Sequence, residues 1–110
     1  MAVIDAGGAI IPSQKLREYL LSATHPIGRY KAAFFTALGY TPEAWEVLER
    51  DLRDLLRGPV RELEVTEYGQ KFATHGELKG PAGRKAAVVA VWITLVGETA
   101  PRFVTAYPED

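Results

Sequence analysis

The 110-residue chain is 47% hydrophobic, carries thirteen Lys and Arg against fourteen Asp and Glu, and has no cysteine. Length and apolar content suit one domain with its own core, and without cysteine neither disulfides nor thiolate metal ligands can form. A net charge of −1 excludes a protein that coats nucleic acid non-specifically, because such binding needs many cations to neutralise phosphates.

Charge is nonetheless uneven. Residues 1–41 sum to +2, 42–64 to −3, 65–108 to +2 and the last two to −2, so a modest basic surface built from the first two helices and the sheet is permitted. The N-terminus lacks the basic start and long apolar stretch of a signal peptide, and a cysteine-free chain suits a reducing compartment. The expected location is cytoplasmic. The longest apolar run, 86–96, has eleven residues, too few for a helix to cross a bilayer, and no membrane partner is expected.

Residues 1–11, interrupted by Gly7 and Gly8, are predicted to be an extended arm whose Ile10 and Ile11 meet the core. After Pro12, Ser13 can cap a first helix over about 13–23, with Leu16, Tyr19, Leu20 and Ala23 at helical spacing. His25-Pro26-Ile27-Gly28 breaks it, since Pro26 disfavours helical backbone before it. In the second helix Tyr30, Ala33, Phe34, Ala37 and Leu38 form an apolar stripe, Phe35 falls off that stripe, and Gly39 supplies the stop. Thr41-Pro42-Glu43 signals a third helix, reaching about Arg57, with Trp45, Leu48, Leu52 and Leu55 or Leu56 inward. Gly58-Pro59 closes it.

From Val60 the period falls to 2, with Leu63 and Val65 alternating against Glu62 and Glu64. A second strand, 71–79, points Phe72 and Leu78 one way and Lys71, His75 and Glu77 the other. Past the Gly80-Pro81-Ala82-Gly83 turn, 84–96 is apolar on both faces, and 102–107 makes a last strand. No helix is available between strands, which excludes a parallel α/β fold. The expected architecture is α+β: three N-terminal helices packed on a three- to four-stranded antiparallel meander. Its parts are an arm at 1–11, a helical half at 12–58 and a sheet at 59–108, all within one domain, 1–110.

No P-loop, G-x-G-x-x-G or H-E-x-x-H motif is present. Two histidines do not make a strong metal site without carboxylate help, so neither metal nor cofactor is expected. Three clusters carry chemistry. His25, Arg29 and Lys31 crowd the start of the second helix, where cations oppose the helix dipole and an outside anion would offset the cost. Lys71, His75 and Glu77 share a strand face, with Arg84 and Lys85 beyond the turn. Thr105 and Tyr107, two apart on the last strand, share a side. Solvated charge and ordinary strand formers account for each of these as well.

The pattern Leu16-x-x-Tyr19-Leu20-Leu21, His25-Pro26-x-Gly28-Arg29-x-Lys31-Ala32, Phe34-Phe35-x-x-Leu38-Gly39-Tyr40, the Gly-Pro-x-Gly turn, Val91-Trp92-Ile93 and Val104-Thr105-Ala106-Tyr107-Pro108 resembles an uncharacterised family of small bacterial domains, a domain of unknown function. The resemblance covers about residues 10–108. More distantly, the layout and the final Thr and Pro resemble the barnase, EndoU, colicin and RelE-like ribonuclease superfamily of toxins. That resemblance implies metal-independent cleavage of RNA through a 2′,3′-cyclic phosphate. His25, Lys31, His75 and Thr105 would be catalytic, and Arg29, Lys71, Arg84 and Tyr107 would bind substrate. A cognate inhibitor protein would be the partner of a toxin module. The sequence departs from those toxins in lacking a Lys or Arg directly before Thr105. The competing expectation is a non-catalytic protein-interaction module, homodimeric through the apolar strand around Trp92.

Overall fold

The computed structural model describes residues 6–25 and 29–109. The first five residues, Pro26, Ile27, Gly28 and Asp110 lie outside the described residues, and with them most of the predicted break before the second helix.

The first helix, α1, opens at Ser13–Lys15 and widens at once into a π-helical turn, Leu16–Leu20. The Leu21 N–H donates to the Leu16 carbonyl at 2.9 Å, the i→i−5 bond that defines such a turn. The wide turn delivers Leu16, Leu20 and Leu21 to the core together. The helix stops short of the predicted 23, and the Thr24 N–H bonds the Ser22 hydroxyl oxygen, a local bond that competes with helical pairing. Pro12 occupies the N-cap, so Ser13 lies inside the first turn and does not cap it.

Helix α2, Arg29–Ala37, is rotated from the stripe its sequence suggests. Ala32, Phe35 and Leu38 point inward, Phe35 with no exposed surface, whereas Tyr30 is 72% exposed. Two registers compete because Ala33 and Ala37 fill the alternative stripe with side chains too small to decide it, and the large Phe35 ring wins the core. The rotation brings Lys31 from the expected solvated flank towards the sheet. Gly39, at φ 103°, ends the helix as predicted. A Cβ there would lie 2.4 Å from the Ala82 nitrogen, and the Ala82 N–H donates to the Leu38 carbonyl at 3.0 Å. The turn between the central strands is thereby tied to the end of α2.

Helix α3, Trp45–Asp54, is flanked by 3₁₀ turns at Pro42–Ala44 and Leu55–Arg57. The Thr41 hydroxyl accepts the Ala44 N–H at 3.3 Å, the cap the sequence predicts,. Leu48, Leu52, Leu55 and Leu56 are buried. The Tyr40 hydroxyl, in a residue only 1% exposed, donates to Asp51 Oδ2 at 2.6 Å. Burial and the Asp51 carboxylate push its pKa well above the ordinary tyrosine value. The unfolded chain then ionises first, so the stabilisation is complete below about pH 10 and is lost as pH rises through the folded pKa. Denaturant titrations from pH 8 upward should therefore show stability falling beyond about pH 10, and Tyr40→Phe should flatten that fall.

The arm differs from the predicted extended form. Arg53 Nη1 donates to the carbonyls of Ala6, Gly7 and Ala9 at 2.9, 3.2 and 2.7 Å, so the backbone curls around the guanidinium. Ile11 is buried, while Ile10 is 38% exposed and bridges to the last strand in parallel, its N–H to Pro101 O at 2.8 Å and its carbonyl accepting from Phe103 at 2.9 Å.

Four strands form one antiparallel sheet in chain order: β1 Val60–Val65, β2 Gly69–Lys79, β3 Lys85–Leu95 and β4 Arg102–Pro108. The β2–β3 ladder runs unbroken from Gly69 opposite Leu95 to Lys79 opposite Lys85. Phe72, Leu78, Val88, Ala90, Trp92, Phe103 and Ala106 join the helical leucines and Phe35 in one core cluster. Trp92 has no exposed surface and its Nε1–H donates to the equally buried Thr74 hydroxyl at 3.0 Å. Its ring therefore faces inward, which removes Trp92 from any surface through which two copies could meet. β1 departs from its predicted alternation, for every residue is exposed, Leu63 by 40% and Val65 by 76%. It is an edge strand whose pairing with β2 slips between Glu62 and Val65.

Candidate functional site

Three elements converge beside β4. The π turn projects Tyr19, α2 projects Lys31, and β4 contributes Thr105. The β4 register slips by one residue between Val91 and Trp92, leaving Val104 as the extra residue just before Thr105. Such a bulge bends a strand and re-aims the neighbouring side chain. Lys31 Nζ donates to the Tyr19 hydroxyl at 2.9 Å and to Thr105 Oγ1 at 2.8 Å, so one ammonium ties helix, turn and strand together. Lys15, one helical turn before Tyr19, donates to the Val104 carbonyl at 3.1 Å. His25 stacks edge-on against Tyr19, with ring centroids 5.2 Å apart.

Lys15, Tyr19, His25, Val104 and Thr105 line an open cleft of about 520 Å³, which continues past Gln14 and Glu18. Burial opposes ionisation of Tyr19, but hydrogen bonds from Lys31 and Thr105 and the charges of Lys31 and Lys15 outweigh it and hold its pKa below the usual tyrosine value. An ammonium has three donors; Lys31 uses two within the protein. The lining presents one cation, two hydroxyls and an imidazole to whatever enters, with the Lys31 ammonium bonded to both hydroxyls, which is equipment for binding an oxyanion and moving a proton.

The eight candidates read from sequence divide. His25, Lys31 and Thr105 share this cleft or its wall. His75 lies elsewhere: its row runs through Val89 to Tyr107, two strands from β4 and displaced along the sheet from the Thr105 row. Its Nδ1 sits 3.4 Å from Glu109 Oε2. The cluster predicted around His75 does not gather, because residues four apart on a strand are about 13 Å apart. Lys71 pairs with Glu64 at 3.5 Å, and Arg84 is exposed at the far end of the β2–β3 hairpin. Tyr107 is 37% exposed at the end of β4. Arg29 lies over the Tyr30 ring and bonds its hydroxyl at 2.8 Å on the open face of α2. Among the described residues no three His, Asp or Glu side chains gather as a metal cluster, and no helix is long and apolar enough to cross a membrane.

Sequence reasoning missed Lys15 and Tyr19. Tyr19 was counted among the apolar positions of the first helix, although its spacing four residues after Lys15 puts a hydroxyl and an ammonium on one helical face.

Helical segments followed by a four-stranded antiparallel meander, with a cleft beside the last strand, define an α+β fold. The fold matches that of a chain in the contact-dependent growth inhibition toxin–immunity protein complex from Klebsiella pneumoniae 342, with a TM-score of 0.71, 16% identity, and coverage of 96% of this chain and 97% of that one. The chain belongs to the family described as Domain of unknown function (DUF6883), whose model matches residues 3–110. No curated protein matches it.

Proposed function

We propose that this chain is a toxin-like domain that cleaves RNA without a metal ion, at the cleft between α1, α2 and β4. The observation that carries the reading is the Lys31 ammonium bonded to both Tyr19 and Thr105 beside His25. In this scheme His25 takes the proton of the attacking 2′-hydroxyl. Lys31 and Thr105 bind the phosphoryl oxygens and stabilise the charge that develops at phosphorus. Lys15, Arg29 and Tyr107 flank the path of the strand, and Lys71 and Arg84 are left to distant contacts. The helices packed on one face of the sheet would fix this geometry. An RNA substrate would go with a cytoplasmic working compartment. A cognate inhibitor protein covering the cleft is the expected partner, in keeping with the toxin–immunity complex that shares the fold.

Purified protein incubated with total RNA in EDTA should cleave it to products ending in 2′,3′-cyclic phosphate. His25→Ala should reduce the rate by about 10²–10⁴-fold, the usual contribution of a general base. His75→Ala, which alters a residue outside the cleft, should cleave within a few-fold of wild type. Intact RNA after prolonged incubation with wild type would end the ribonuclease reading. The second reading, an immunity-like binding module, also draws on the shared fold, since that complex contains an immunity protein. It would gain if the chain left RNA intact and protected a toxin's target instead.

A further inference from the structure

The reaction above needs a second proton transfer, and the cleft contains a group placed for it. We infer that Tyr19 is a catalytic residue, the acid that protonates the departing 5′-oxygen. The inference rests on the ribonuclease reading of this cleft.

The hydrogen-bond pattern around Tyr19 points its proton outward. Its oxygen accepts a hydrogen bond from Lys31 Nζ at 2.9 Å, and an ammonium has no lone pair with which to accept one in return. The phenolic O–H is thus left to donate towards the cleft that Tyr19 lines with Lys15, His25, Val104 and Thr105. The same Lys31 ammonium lies 5.2 Å from the Tyr19 ring centroid, so the charge left on the oxygen after donation meets a cation already in place. The groups around the hydroxyl are Lys15 from its own helix, Lys31 from α2, His25 after the turn and Thr105 from β4, with Glu18 on the adjoining wall. Three cationic or potentially cationic groups thus face it. The π turn is what aims it here. The extra residue in that turn changes the direction of Tyr19 relative to Leu16 and Leu20, which remain in the core.

The step balances as follows. The His25 imidazole accepts the 2′-hydroxyl proton as the 2′-oxygen forms its bond to phosphorus. The bond from phosphorus to the 5′-oxygen breaks with its electron pair going to that oxygen, which takes the Tyr19 proton. The products are a 2′,3′-cyclic phosphate and a 5′-hydroxyl, with Tyr19 anionic and His25 cationic. Exchange with water restores both.

Tyr19→Phe keeps the ring against His25 and removes only the proton donor. Two substrates separate an acid from a scaffold: the dinucleotide UpA, whose 5′-oxygen needs a proton to leave, and uridine 3′-(4-nitrophenyl phosphate), whose nitrophenoxide leaves without one. The expected result is a loss of about 10²-fold or more in kcat on UpA, with turnover of the nitrophenyl ester within about threefold of wild type, because the missing acid is not needed there. Equal losses on both substrates would assign Tyr19 to holding Lys31 and overturn the proposal. Full activity on both would remove Tyr19 from the chemistry. Wild type inert towards both would instead sink the ribonuclease reading, taking this one with it.

Discussion

Replacing Lys31 by Met is expected to lower the rate of RNA cleavage by about 10²–10³-fold, the cost of deleting one donor aimed at developing charge. The substitution keeps an unbranched chain of similar reach, so Ala32 and Phe35 on the inner face of α2 should stay packed. It removes the cation that bonds both Tyr19 and Thr105, and with it the charge next to phosphorus in the proposed scheme. Stability should change little. Both hydroxyls are only partly buried and can bond water instead, so the Tm should move by a few degrees at most. Lys31→Arg should recover part of the rate, since the charge returns but a planar guanidinium cannot reproduce the two bonds in the same geometry. Single-turnover cleavage of a labelled RNA checks the series; unchanged rates in Lys31→Met would remove the ammonium from the reaction.

The second large effect falls on the fold. Trp92→Ala is expected to destabilise the chain by about 3–5 kcal/mol through the cavity it leaves. The lost Nε1–H partner strands the Thr74 hydroxyl, which has no solvent access and adds about 1–3 kcal/mol if it stays unpaired. Phe103, packed edge-on against the indole with centroids 5.5 Å apart, loses its neighbour as well. Against a typical total of about 5–15 kcal/mol, such a loss leaves a substantially unfolded population at ambient temperature. Urea titration followed by far-UV circular dichroism measures it, and a destabilisation below about 2 kcal/mol would mean that the core closes over the gap.

Much of the architecture was legible in the sequence, for identifiable reasons. Period-2 patterning and the Gly-Pro turns place β2, β3 and β4 within two residues of their observed ends, and Thr41-Pro42-Glu43 marks the entrance to α3. Helix rotation was less legible. Along α2, two stripes of similar apolarity differ mainly in whether Phe34 or Phe35 leads, and only the sheet it meets decides between them. β1 misled because an alternating strand implies a covered face, yet its position at the sheet edge leaves both faces open. For the cleft, the sequence offers His25 and Lys31 in one cluster and Thr105 in another. Their meeting depends on that helix rotation and on the bulge at Val104, neither of which has a local signature. His75 was nominated for its cationic neighbours in sequence, but an extended chain spreads such neighbours apart, and the carboxylate of Glu109, distant in sequence, is what lies beside it.

The two borders of the sheet are unlike each other. On the β4 side Ile10 occupies the outward-facing groups of Pro101 and Phe103, and the Lys15 ammonium takes the carbonyl of Val104. The β1 border has solvent along its whole length. A foreign strand seeking to extend the ladder therefore finds the β1 margin receptive, away from the cleft, so a pair joined there would leave both clefts uncovered.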